Sequence, residues 1–232
     1  MDIQSPMYVV DNYVADTNDG TGTSYTFTYD YIGAKVDLLG RGWLGFHQTT
    51  GVDQSAGVKN VHIFRQVDPA TNRVDFPFVG MQDIARTTDM QDNLFAQVKN
   101  YYTAFSTHAN PKVVFPTVTR QVKDQCEGQA LCFTTAQTFE FDADAPGGKT
   151  FGNPVHTLHE GDVSITGDER HERTEWLVNS SGTDWLHRPK TNRLHDASNV
   201  VIREKFLYYD GLPYGSLGAR GLVTREESSL GE

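Results

Sequence analysis

Tyr25, Phe27, Tyr29 and Tyr31 alternate with Thr26, Thr28 and Asp30. This period-two pattern predicts a half-buried strand with one continuous aromatic face. Gly33, Gly40, Gly42 and Gly45 follow, with Asp37 between the first two and Arg41 inside the closest pair. Glycines so placed let the backbone take positive φ and fold back, so Trp43, Leu44 and Phe46 are expected on a returning strand. The unit is an aromatic strand, a Tyr29-Asp30 step, a glycine-rich reversal and a return. It recurs at Phe141-Asp142, followed by Gly147-Gly148 and Phe151-Gly152-Asn153-Pro154, and again at Tyr209-Asp210-Gly211, followed by Gly215, Gly218 and Gly221. Uneven spacing makes this a degenerate repeat, of the sort in which each copy buries its apolar face against its neighbours.

The rest of the chain keeps the same cadence. Met7 to Val14 reads as a first strand; Trp43 to Thr50 and Val58 to Val67 read as a pair joined by a turn over Gly51 to Gly57. Asp75 to Gly80 is apolar but holds Pro77, which suits an edge or a bulge. Lys112 to Val122, Leu131 to Phe141, Pro154 to Glu160, Arg170 to Asn179, Asp184 to His195 and Leu222 to Glu227 complete the set of expected strands. One stretch carries two periods at once. Leu94, Phe95, Val98, Tyr101, Tyr102 and Phe105 fit a helical face that Asp89 and Asp92 could cap, yet Tyr101, Thr103 and Phe105 also alternate. With strands on both sides, the strand reading is preferred.

The chain has 232 residues, a length that fits one large all-β domain or two small ones, and no proline-rich or low-complexity linker marks a boundary. Hydrophobic content of 38% is low, but 11% aromatic residues and 21 glycines supply the rings and turns that pleated sheet uses. The fold class expected is all-β, built of antiparallel hairpins. A net charge of −10 repels a phosphate backbone, so nucleic acid is not an expected partner. No run of about 18 apolar residues could span a bilayer as a helix, and the start MDIQSPMYVV lacks the form of an ordinary secretory signal. Cys126 and Cys132 flank a reversal across which two thiols could bridge, but cysteine use this sparse favours a reduced pair, and their spacing is not that of a redox Cys-x-x-Cys pair.

Candidate chemistry does not outweigh the structural readings. His156-x-x-His159 is the nearest histidine grouping, but residues three apart on a strand face opposite ways and cannot share an ion. Asp16 to Gly22 does not place glycine and glutamate as a calcium loop requires, so it reads as a hairpin turn. No Gly-x-Ser-x-Gly elbow occurs, and Ser216 sits in a turn without a local base. Carboxylate pairs such as Asp142 with Asp144, or Asp168 with Glu169, could serve glycoside hydrolysis, but acids beside turns more often accept backbone N–H bonds. Trp43, Trp176 and Trp185 could stack on sugars, although strand aromatics more often pack across strands. No catalytic, metal-binding or cofactor residue is therefore expected.

Tyr29-Asp30, Phe141-Asp142 with Gly152-Asn153, and Tyr209-Asp210-Gly211 resemble the Tyr-Asp and Tyr-Gly-Asn steps of the Rhs/YD-repeat family. Pro6 to Val10, Gly33-Ala34-Lys35-Val36-Asp37, Gly40-Arg41-Gly42-Trp43-Leu44-Gly45-Phe46 and Asp75-Phe76-Pro77 resemble the middle region of the B component of insecticidal toxin complexes and related Salmonella-virulence-type proteins. The resemblance extends over nearly the whole chain, and it implies one segment, residues 1–232, of a much longer protein whose β-strip curves or spirals into a hollow YD-repeat shell. The implied function is non-enzymatic: to enclose a toxic C-terminal domain until delivery, with the rest of the shell and that domain as partners. A pore component would engage through regions outside this chain, and the protein would be exported from a bacterium. The family's self-cleaving Asp-Pro-x-Gly has no match, since Asp68-Pro69 is followed by Ala70-Thr71. A carbohydrate-binding surface module and an all-β glycosidase are the alternatives.

Overall fold

The computed structural model describes residues 8–68, 70–106, 114–142, 152–179 and 186–231. Within these, every regular element is a strand: β1 (Asn12–Asp16), β2 (Ser24–Ile32), β3 (Lys35–Asp37), β4 (Gly42–Gly45), β5 (Gln48–Asp53), β6 (Val58–Phe64), β7 (Val67–Asp68), β8 (Arg73–Val74), β9 (Gln82–Asp89), β10 (Leu94–Ser106), β11 (Val114–Gln125), β12 (Phe133–Phe141), β13 (Pro154–Asp162), β14 (Arg170–Asn179), β15 (Leu186–His195), β16 (Val201–Tyr209) and β17 (Val223–Leu230). The protein is all-β, and most of it is one large antiparallel sheet. Thirteen strands follow one another in that sheet in chain order, interrupted only where β3–β4 and β7–β8 leave it as small two-stranded hairpins. Where the connection is short, as between β5 and β6, β9 and β10, and β15 and β16, it can only join antiparallel neighbours.

The chain forms two compact units. The first comprises Met1–Tyr102 with Gln121–Phe133, the second Thr103–Arg120 with Thr134–Glu232. Full burial of apolar side chains is sparse in both. Among the described residues it is confined to Val61 and Cys126 in the first unit and Ala136, Leu207 and Tyr209 in the second, while Tyr8, Leu39, Leu131 and Leu230 are almost wholly exposed.

Several boundaries differ from expectation for identifiable reasons. The first strand is Asn12–Asp16, paired with β2 from Asn12 opposite Thr28 to Asp16 opposite Ser24, and not Met7 to Val14. The segment expected as one strand from Trp43 to Thr50 is two, because Gly45 has φ 87° and the chain leaves the hairpin before re-entering the large sheet at Gln48. Gly51, expected in a turn, lies inside β5 opposite Tyr29, and the turn begins after Asp53, whose carboxylate accepts the Ser55 and Ala56 N–H groups. Asp75 to Gly80 is a turn with a cis Phe76–Pro77 bond, not an edge strand.

The doubly patterned stretch is β10. Asp89 does not cap a helix: its carboxylate takes the Gln91 and Asn93 N–H groups and the Asn93 amide, closing a hairpin in which Asp92 has φ 67°. Cross-strand pairing with β9 then outweighs the weak local preference for helix. Cys126 and Cys132 are not a reduced pair but are joined as a disulfide over the short reversal between β11 and β12, and the Cys126 N–H bonds the Phe95 carbonyl. The last strand runs Val223–Leu230. Asp144, Gly147, Gly148, Phe151, Trp185 and the expected turn at 180–184 lie outside the described residues.

Candidate functional site

The three aromatic–Asp steps recur along the chain, and two of them, Phe141-Asp142 and Tyr209-Asp210, end a strand where the chain turns, while Tyr29-Asp30 lies inside β2. In the second unit, Phe141 closes β12 and packs on Phe105 with ring centroids 5.7 Å apart. Asp142 then reaches across the loop. Its Oδ1 accepts the N–H groups of Gly152 (2.9 Å) and Asn153 (3.0 Å), and its Oδ2 accepts the Asn153 side-chain amide at 2.9 Å. The Asp142 N–H donates in return to the Asn153 carbonyl at 2.9 Å. Gly152 has φ 78°, and a Cβ there would meet the Phe115 ring at 2.7 Å, so both backbone conformation and space demand glycine.

Tyr209 and Asp210 repeat the arrangement. Tyr209 is 1% exposed and donates its hydroxyl to the Pro189 carbonyl at 2.6 Å; burial pushes its phenol above the ordinary value. Asp210 accepts the Gly221 N–H (2.9 Å) and the Leu222 N–H (3.0 Å), and its own N–H donates to the Leu222 carbonyl at 2.8 Å. The backbone N–H of Leu222, foremost among several, holds the Asp210 carboxyl below its ordinary range. Gly211, with φ 71°, donates its N–H to the Thr224 hydroxyl. Charge-assisted bonds from a carboxylate to backbone N–H groups are stronger than neutral ones, and here they close a long loop at its neck.

The first unit uses other means. Tyr29 lies over Gly51, where a Cβ would stand 3.4 Å from the ring, and Tyr31 packs on Phe46, itself edge-on to Trp43. Asp30 is exposed and its carboxylate has no hydrogen bond or ion pair among the described residues. Closure is made instead by the His47 N–H, which donates to the Ile32 carbonyl at 2.9 Å, and by Gly33 at φ 72°, where a Cβ would stand 2.8 Å from that of His47. Beyond it, Asp37 accepts the Leu39 N–H and lies 4.0 Å from Arg41, whose guanidinium covers the Phe76 ring. Gly40 and Gly42 turn the β3–β4 hairpin with φ 115° and 71°.

Two further contacts support this loop. Gln66, 2% exposed, donates its amide to the Gly45 carbonyl at 2.6 Å, and Asp75, 8% exposed, pairs with Arg65 at 2.7 Å. Only the fold brings these residues together.

An open groove of about 550 Å³ in the first unit is lined by Phe27, Tyr29, Tyr31, Thr49, Asp53 and His62. Phe27 also stacks on Tyr13, Tyr31 meets Phe46 at a tilt and Tyr29 covers Gly51, so three aromatic rings of β2 line the groove. Trp176, a candidate for sugar stacking, donates its indole N–H to the Pro154 carbonyl. In the second unit His156 and His159 turn to opposite faces of β13: His159 meets Gln137 and Glu172, His156 meets Glu140 and His171. Among the described residues no group of three His, Cys, Asp or Glu is placed to hold a metal ion.

No family model matches the chain, and no curated protein matches it. Solved structures do. The crystal structure of TcdB2-TccC3 is 12% identical, with a TM-score of 0.62 over 90% of this chain and 16% of that one. TcdB2-TccC3 with Cdc42 is 10% identical, with a TM-score of 0.63 over 90% of this chain and 15% of its own. TcdB2-TccC3 without its hypervariable C-terminal region is 11% identical, with a TM-score of 0.62, again over 90% and 15%. At these identities the likeness is one of fold, and the chain spans about 15% of the length of the chains it matches.

Proposed function

We propose that this chain is a wall segment of a toxin-encapsulating β-shell, one stretch of a longer exported bacterial protein that shields a C-terminal toxic domain until delivery. The observation that carries the reading is the likeness to TcdB2-TccC3 over 90% of the chain by a sheet whose thirteen strands run in chain order. A continuous strip of that order extends by adding hairpins, which suits a wall and gives no privileged cleft for catalysis. The repeat residues then act as fasteners. Asp142 and Asp210 tie loops to strand ends; Gly33, Gly40, Gly42, Gly152 and Gly211 let the backbone turn there. The partners in this reading are the adjoining shell, the enclosed domain and, through regions beyond this chain, a pore component; the segment itself turns over no substrate.

The sparse apolar burial in both units supports the same reading, because a wall segment completes its covering from neighbouring repeats. Purified 232-residue protein should self-associate or bind a hydrophobic dye in size-exclusion chromatography with light scattering, and restoring the flanking repeats should suppress this. A dye-negative monomer at all concentrations would show a self-contained domain. A sugar-binding module is the second reading, favoured by Tyr29 at the open groove. Calorimetric titration with neutral oligosaccharides distinguishes the two: saturable heat abolished by Tyr29→Ala supports the module, and no heat leaves the wall segment alone.

A further inference from the structure

A row of titratable groups crosses four strands on one face of the second unit. Glu140 on β12 lies directly opposite His156 on β13, and His171 on β14 lies directly opposite His195 on β15. His156 Nε2 and His171 Nδ1 are 3.0 Å apart, with the two rings stacked at 5.3 Å between centroids and 13° between planes. Glu140 Oε2 is 3.3 Å from His156 Nδ1. His195, 7% exposed, turns its Nδ1 to the His171 carbonyl at 3.3 Å. Arg173 is the register partner of His156 and adds a positive charge beside the pair.

Proton placement follows from this geometry. The His156 Nδ1–H faces Glu140, which leaves Nε2 as a lone pair to accept the His171 Nδ1–H. One further proton is tolerated, because it can sit on His156 Nε2 and be donated back to a neutral His171. A second cannot be accommodated. It would set two N–H groups against each other across 3.0 Å, with Arg173 and His195 as further positive neighbours and only the exposed Glu140 and the nearby Glu169 in opposition.

We propose that the His156–His171 pair is a pH-sensitive seam, which holds β13, β14 and β15 together at neutral pH and loosens them when a second proton is forced onto it. His171 itself is held below its ordinary value, first by burial and then by His156, Arg173 and His195. The unfolded chain therefore binds more protons than the folded one as pH falls below about 6.5, so stability is intact above that pH and declines below it. Acidification then opens this part of the sheet while the Asp210-closed loop, whose carboxyl is held below its ordinary range, is still shut.

Histidine ring NMR on the unaltered 232-residue chain between pH 8 and pH 5 reads the pair directly. The expected result is coupled titration, with the His171 midpoint below the ordinary value; two independent curves, both near the free-histidine value, would overturn the proposal. Urea unfolding at about pH 7.5 and 5.5 gives the consequence for stability. Between those pH values the native chain should lose about tenfold in its folding equilibrium constant, the effect of one group failing to take its proton. His171→Gln, which keeps a donor toward His156 but does not titrate, should lose markedly less; an equal loss in both proteins would count against the seam.

Discussion

The loops after Phe141 and Tyr209 and the loop after Tyr31 solve one problem in two ways. In the second unit a strand-end aspartate binds backbone N–H groups ten to twelve residues further on and is the knot that holds the loop. In the first unit Asp30 points to solvent, and the knot is a close backbone approach between Gly33 and His47, backed by buried Gln66. The lesson is that an aromatic–Asp step marks a strand that ends in a loop, but the carboxylate acts only where the strand stops at that residue. β12 ends at Phe141 and β16 at Tyr209, so Asp142 and Asp210 face their loops. β2 continues to Ile32, so Asp30 is simply a solvent-facing strand position.

This contrast can be broken by mutation. Gly33→Val should be the most damaging change, at about 4 kcal/mol, because a β-branched residue at positive φ adds backbone strain to a collision with His47. The same change at Gly40, where no atom lies within 4 Å, should cost only the backbone part, about 1 to 2 kcal/mol. Urea unfolding of both variants measures the difference, and equal losses would mean that packing at Gly33 is unimportant.

Asp142→Ala comes next, at about 2 to 3 kcal/mol, since two backbone N–H groups and an amide lose a charged acceptor. Asp142→Asn should recover part of this, and thermal unfolding of the pair reads it. A variant as stable as the parent would remove the knot from the account.

Acid should release the Asp210 loop in a defined window. The folded value of Asp210 lies below its unfolded one, so its contribution is present above about pH 4 and is lost as pH falls through the lowered folded value. Between pH 5 and 3 the stability of Asp210→Asn should therefore fall less steeply than that of the parent; parallel curves would contradict this. The smallest effect should be Asp30→Ala, under about 0.5 kcal/mol, as for other exposed positions without partners. A loss as large as that of Asp142→Ala would show that the first repeat closes like the others.

Much of this arrangement was legible in the chain itself. The strict alternation from Tyr25 to Tyr31 placed β2 to within one residue at each end, because period two records which face of a pleated strand each side chain occupies. The positive φ of Gly33, Gly40 and Gly42 also follows from their position between patterned strands. The segment from Leu94 to Phe105 was ambiguous, since its apolar residues satisfy both periods, and pairing with β9 decided it. The break between β4 and β5 was missed: WLGF looks continuous, and nothing local says that Gly45 and Gln48 belong to different sheets.

The sequence by itself determined the class of structure and several of the reversals, among them those at Gly33, Gly40 and Gly42, for these depend on side-chain alternation and on residues that alone tolerate positive φ. It left the Cys126–Cys132 bridge open, because spacing permits a bond without requiring it. Tertiary structure decided which carboxylates work as knots, which strands pair across the β3–β4 and β7–β8 hairpins, and that His156 meets His171. All of these depend on register between strands. Register is a relation between distant residues, fixed by the summed pairing of whole strands, and no local pattern contains it.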